Sequence, residues 1–137
     1  MPTNPTVERL LDAINRHDPA GMAALMTPDY RSDQPVHPGR SFVGNKQVIK
    51  NWTAVFASIP DIRAELVTEV TGGTTSLSEW SFSGRHVDGS DFAMRGVIVA
   101  GIEDGLIQWQ RLYVDPVDQS GEDIEQSVTE IYRPPES

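Results

Sequence analysis

Apolar residues along the chain keep two different rhythms, and the change from one to the other divides the sequence. In "TVERLLDAINRHDPAGMAALM", Val7, Leu10, Leu11 and Ile14 recur at intervals of three and four, the period of a single helix face. The spacing predicts a helix over about 7–16 with Thr6 as its N-cap. His17-Asp18-Pro19 interrupts it. Asp18 then suits the cap of a second short helix over about 19–26, with Pro19 at its first position. "GNKQVIKNWTAVFASIPD" repeats the helical period through Val48, Ile49, Trp52, Val55, Phe56 and Ile59, and Pro60 lies beyond its end.

After Pro60 the period becomes two. Ala64, Leu66 and Thr68 alternate with Glu65, Val67 and Glu69, and Gly72-Gly73 turns the chain. Strands follow over "TSLSEWSFSGRH", "FAMRGVIVAGI" and "LIQWQRLYVD", separated by "VDGSD" and by the tight "EDG". Beyond Pro116 the pattern is loop-like until Ile124, Val128 and Ile131 share one helical face, which predicts a short closing helix. Helices first and a meander afterwards describe an α+β fold in which a sheet packs one face on segregated helices. The whole 1–137 span reads as one domain, with a core over about 7–115 and an acidic extension over 116–137.

Composition narrows the chemistry. With 137 residues, 38% hydrophobic and 23% charged, the chain has the size and balance of one packed domain. Its net charge of −9 opposes nucleic acid and anionic membrane surfaces, whose binding depends on neutralising phosphate with Lys and Arg. No apolar run reaches the roughly 18 residues of a membrane span, and "MPTNPTVERLL" lacks the basic start and apolar core of a secretion signal. A cytoplasmic location is expected. The absence of cysteine removes disulfides, thiolate metal sites and cysteine nucleophiles. His17 and His86 stand alone, without metal-ligand spacing, and neither a glycine-rich phosphate loop nor a nucleophile elbow is present. No metal and no cofactor are expected.

"VERLLDAINRHDPAGMAALMTPDYRSDQP", "NWTAVFASIPDIRAELV", "WSFSGRHVDGSDFAMRGVIV" and "EDGLIQWQRLYVD", taken in this order and spacing, make the chain resemble the SnoaL-like branch of the nuclear transport factor 2-like superfamily. The resemblance covers about residues 7–115. It implies a curved antiparallel sheet wrapped around the N-terminal helices as a cone, an α+β barrel with an internal pocket. Function does not follow from the fold, because the superfamily hosts isomerases, cyclases, hydrolases, dehydratases, transport factors and binding modules. Carried over residue by residue, the base of ketosteroid isomerase relatives falls on Gln34, their oxyanion tyrosine on Leu10 and their protonated aspartate on Ile98. None of these offers the same chemistry, although a slip of one position brings Asp33 to the base. The last-strand acid of limonene-epoxide hydrolase-like members falls on Leu112. The His-Asp-Pro run of many SnoaL-like cyclases reads Asp33, Gln34 and Pro35 here.

Strand alternation sorts the remaining side chains. With Trp80 inside the cone, Ser78 and Phe82 are inside too, as are Met94, Ile98, Ala100, Gln110 and Leu112. Gln34, Trp52, Phe56, Trp80, Phe82, Met94, Ile98 and Leu112 are therefore the expected substrate-binding residues of an apolar cavity. "YRSDQPVHPGR" supplies a polar rim, in which Asp33 is the candidate base, His37 or Tyr30 its proton partner and Gln34 the group that orients a carbonyl. Two readings stand side by side. One is a cofactor-free acid–base enzyme acting on a hydrophobic, oxygenated ring of polyketide-like or terpenoid-like kind; the other is a non-catalytic hydrophobic-ligand-binding module. On the outer face Glu79, Arg95 and Arg111 are placed to form a charge ladder beside Val97, Val99, Trp109 and Tyr113, a patch expected to make a homodimer through the sheet.

Overall fold

The computed structural model describes residues 3–132, so the two ends of the expected 1–137 span lie outside it. Helix α1 (Pro5–Asn15) begins two residues earlier than the apolar period suggests. Its N-cap is Asn4, whose side chain accepts the Thr6 backbone N–H at 3.0 Å, with Pro5 at the first helical position. Thr6 is displaced from the expected cap because its hydroxyl donates to the Gly105 carbonyl at 3.0 Å, which ties the helix to a distant hairpin. Val7, Leu10, Ala13 and Ile14 form the buried stripe. Asp18 caps α2 (Pro19–Ala23) as expected, accepting the Gly21 N–H at 2.9 Å. That helix ends early because the Leu25 carbonyl accepts the Ile107 N–H at 2.8 Å, drawing the chain into the sheet.

Strand β1 (Met26–Asp33) follows, then a single 3-10 turn at Pro38–Arg40, the short β2 (Phe42–Val43) and helix α3 (Lys46–Ser58). The meander runs through β3 (Arg63–Gly72), β4 (Thr75–Arg85), β5 (Asp91–Glu103) and β6 (Leu106–Pro116). Sheet order is β2-β1-β6-β5-β4-β3. All neighbours are antiparallel except β1 and β6, which run parallel with Ser32 opposite Gln110 and Asp33 opposite Arg111. The sheet is therefore mixed, and its two edges, β2 and β3, do not join. The "EDG" turn forms a two-residue hairpin in which Asp104 and Gly105 both have positive φ.

Two devices bend this sheet. In β3 the register shifts between Leu66 and Thr68, a bulge that leaves Val67 exposed and reverses the alternation beyond it. Glu69, which plain alternation from buried Ala64 would turn outward, instead pairs opposite buried Ser78, accepts from Ser76 Oγ at 3.1 Å and from the Asn4 N–H at 3.2 Å. The second device is glycine in the central strand β5. A Cβ at Gly96 would collide with the Tyr113 carbonyl and the Val114 Cα, so the β6 backbone occupies the space where a side chain would stand. A Cβ at Gly101 would collide with the Trp109 indole, which occupies that position.

Helix α4 (Ile124–Ile131) forms where the pattern predicts it, with a reciprocal capping box between Asp123 and Gln126. It closes nothing among the described residues. Ile124, Val128 and Ile131 stay exposed.

Candidate functional site

Between the helices and the concave face of the sheet lies a cavity of about 370 Å3. Its walls are built by regular elements. Leu10 and Ile14 come from the α1 stripe, Val48 and Trp52 from α3, Trp80 and Phe82 from β4, and Met94, Ile98 and Leu112 from β5 and β6. Strand alternation thus delivers five of the expected binding residues, Trp80, Phe82, Met94, Ile98 and Leu112, to the wall, and the helical period delivers Trp52. Phe56 does not line it. One turn beyond Trp52, its ring stacks at 4.5 Å on His17, whose Nε2 lies 2.8 Å from the Ile62 carbonyl. Trp80 is sealed between Phe82, with ring centroids 5.8 Å apart, and Ser78, whose Oγ accepts its indole N–H at 2.7 Å.

One polar pair sits at the base. Tyr30 and Gln110 are 2% and 5% exposed, and the phenol donates to Gln110 Oε1 at 2.6 Å. Burial pushes the Tyr30 phenol up to about 12, with the Ser32 hydroxyl pulling the other way and the Asp33 charge adding to the rise. Tyr30 therefore stays neutral and serves as a hydrogen-bond donor.

The parity of β1 decides the rest of the opening stretch. Tyr30, Ser32 and Gln34 line the cavity, whereas Arg31 and Asp33 line an outer trough with Trp109 and Arg111. Asp33, expected as the base, is thus turned away from the cavity, and Arg31 Nε holds its carboxylate at 2.8 Å. A strand cannot send Tyr30, Asp33 and Gln34 to the same side.

Charged groups gather instead at the mouth. Asp115, at the end of β6, lines the opening, and His37 Nε2 lies 2.9 Å from its Oδ1. His37 does not itself line the cavity; it touches the site through Asp115. Arg40 donates to Gln34 Oε1 at 3.1 Å and stands 4.0 Å from Asp115 Oδ1. Asn51 completes this rim. Asp115, Arg40, Asn51, Ser32 and Gln110 were not among the expected site residues. Alternation already places Gln110 inside, but nothing local marks Asp115, which sits 78 positions from His37.

The outer face differs from expectation as well. Among the described residues, Glu79, Arg95 and Arg111 form no ion pair with one another. The Arg111 guanidinium lies 4.5 Å from the Trp109 ring centre instead, so that indole is covered by Gly101 and Arg111 of its own chain. No helix among the described residues is long and apolar enough to cross a membrane.

A family model described as the SnoaL-like domain matches residues 7–110. No curated protein matches the chain. Among solved structures, a protein of ketosteroid isomerase-like fold from Catenulispora acidiphila, bound to trimethylamine, superposes with a TM-score of 0.73 at 15% identity, covering 82% of this chain and 86% of that one. IdmH, a candidate polyketide cyclase from Streptomyces antibioticus, gives 0.71 at 22% identity over 80% and 89% of the two chains. A candidate SnoaL-like polyketide cyclase from Jannaschia sp. CCS1 gives 0.67 at 19% identity over 98% and 99%. Likeness at these identities concerns the fold. Within it, Leu10, Gln34, Ile98 and Leu112, the positions onto which relatives' catalytic groups were carried, all line the cavity.

Proposed function

Because the chain belongs to the SnoaL-like domain family, matched over residues 7–110, we propose that its cone receives a hydrophobic, oxygenated small molecule, a polyketide-like or terpenoid-like ring, and performs acid–base chemistry on it at the mouth. The observation that carries this is the division of the cavity: an apolar base holding one neutral polar pair, and an opening lined by Arg40 and by Asp115, against which His37 is held. Apolar walls with a few convergent polar groups are the usual form of a small-molecule site.

Asp115 is the carboxylate that faces the cavity, and the proposed base. It takes a proton from a carbon beside a carbonyl; the C–H electron pair becomes the C=C bond of an enolate as the carbonyl π pair moves onto oxygen, and the proton is returned at another atom. His37 positions Asp115 through Nε2, and Arg40 faces the negative charge as it develops. Isomerase and cyclase types begin from such a step, whereas a hydrolase type would use the same carboxylate to take a proton from water. Asp115→Asn is expected to lower kcat on an identified substrate at least about hundredfold, with ligand affinity nearly unchanged. Unchanged turnover in Asp115→Asn would remove the assignment.

A second reading has its own support. Leu10, Gln34, Ile98 and Leu112 bring no acid to the interior, which suits a module that binds without turning over. Native mass spectrometry after incubation with a hydrophobic metabolite extract identifies a ligand, and recovery of that ligand unaltered favours binding alone.

Self-association through the outer sheet face is part of the proposal. Val70 pairs with Leu77 and Leu77 with Val99 across adjacent strands, and Val70 and Leu77 are 59% and 46% exposed. Leu77→Glu is expected to shift a dimer to monomer in sedimentation velocity, and a wild-type monomer at micromolar concentration would count against it. The cytoplasmic assignment is likewise a proposal, which a fluorescent fusion tests.

A further inference from the structure

Resting on the reading of the cone as a small-molecule site, we propose that Gln110 is its specificity-determining residue, held by Tyr30 so that the base of the cavity offers a hydrogen-bond donor and selects ligands that place a carbonyl oxygen there. The Tyr30 hydroxyl donates to Gln110 Oε1 at 2.6 Å, which occupies the acceptor end of the amide. Its NH2 end makes no hydrogen bond among the described residues, and it is not sealed from solvent as Thr27 Oγ1 is. Gln110 is a cavity-lining residue only 5% exposed overall, so that NH2 group reaches solvent within the cavity.

The orientation follows from the bond length. A separation of 2.6 Å is ordinary for O–H···O and short for N–H···O, so the amide oxygen is the end that meets the phenol. The phenolic hydrogen is then directed to Gln110. With the amide reversed, an NH2 group would stand at a distance below its usual range. The Tyr30–Gln110 pair therefore presents one donor, the amide NH2, to the cavity. A carbonyl oxygen satisfies that donor. A ligand without an acceptor leaves a buried N–H unpaired, whereas a hydroxyl accepts from it but must also place its own hydrogen among walls that are mostly apolar, Leu10, Ile98 and Leu112 beside the Ser32 hydroxyl. No charged group stands at the base, so the preference is for a neutral carbonyl and not for a carboxylate.

Three probes of one size separate these cases: 1-tetralone, 1-tetralol and tetralin, titrated against wild type by tryptophan emission, since Trp52 and Trp80 line the cavity, and by calorimetry. Wild type is expected to bind the ketone about tenfold more tightly than tetralin and severalfold more tightly than the alcohol. Gln110→Leu should bring the three constants within about twofold of one another. Tyr30→Phe, which keeps the amide but frees it to rotate, should narrow the gap between ketone and alcohol while preserving that between ketone and tetralin. Circular dichroism establishes that each variant is folded, and Tyr30→Phe carries the test if Gln110→Leu is not. Equal constants for all three probes in wild type, or a ketone preference that survives in Gln110→Leu or is unaltered in Tyr30→Phe, overturn the inference while leaving the cavity a binding site. Failure of every probe to bind overturns the small-molecule reading itself, and the inference with it.

Discussion

The base and the mouth of the cavity are made from opposite materials. At the base, helix stripes and strand alternation set buried and half-buried apolar side chains around a neutral, buried Tyr30–Gln110 pair. At the mouth, a loop and a strand end bring together Asp115, His37 and Arg40, whose side chains are between 36% and 56% exposed. Exposed ion pairs contribute little to stability, whereas buried aromatic packing contributes a great deal. The contrast teaches that holding the fold and doing chemistry fall to different residues here, so the two regions should respond differently to substitution.

The sharpest way to break the contrast is Trp80→Ala. Its ring is 1% exposed and bonded to Ser78, and its loss is expected to cost about 3 kcal/mol, the low end for large aromatics because one side already faces the cavity. Chemical denaturation measures this, and a cost below about 1 kcal/mol would show that the base is not load-sharing core. A comparable effect comes from pH. Folded Tyr30 keeps its proton to about 12, while an unfolded tyrosine releases it near 10. The stabilisation is therefore complete below about pH 10 and is lost as pH rises through 12, by about 2–3 kcal/mol in total. Tyr30→Phe should lack this alkaline decline, although at neutral pH it costs about 1–2 kcal/mol by leaving Gln110 Oε1 unpaired. Parallel pH profiles for the two proteins would contradict the burial argument. The smallest expected change is at the mouth, where Asp115→Asn and His37→Ala should each alter stability by less than about 0.5 kcal/mol. A large loss from either would erase the distinction between the two regions.

How far the site was legible in the sequence follows the same division. Period-two alternation places Trp80, Phe82, Met94, Ile98 and Leu112 correctly because β4, β5 and the facing part of β6 keep their register through those residues. The helical period identifies the buried side of α3 but not which part of it meets the cavity, so Trp52 arrives there and Phe56 goes to His17. Asp33 and Ser32 exchange roles because β1 is a strand through Asp33, and its parity could be set only by its pairing with β6. Glu69 turns inward for a reason no periodicity contains, the single extra residue at Val67. The meeting of His37 with Asp115 depends on a loop and a strand end being brought together by the whole fold, and neither residue's neighbours announce it. Fold order was readable from local patterns; the chemistry at the mouth was a product of assembly.

Gly96 shows where the limits on this pocket are kept. It lies outside the cavity lining, yet the β6 backbone rests in the space its Cβ would fill. Any side chain introduced there would act as a wedge between β5 and β6, moving Val114 and Asp115 together because they are consecutive on the displaced strand. A wider bore and a misplaced carboxylate would then come from one substitution. Lining residues such as Met94 or Leu112 can be exchanged to reshape the pocket one wall at a time, whereas its calibre and the aim of its mouth are coupled through an atom that is not there.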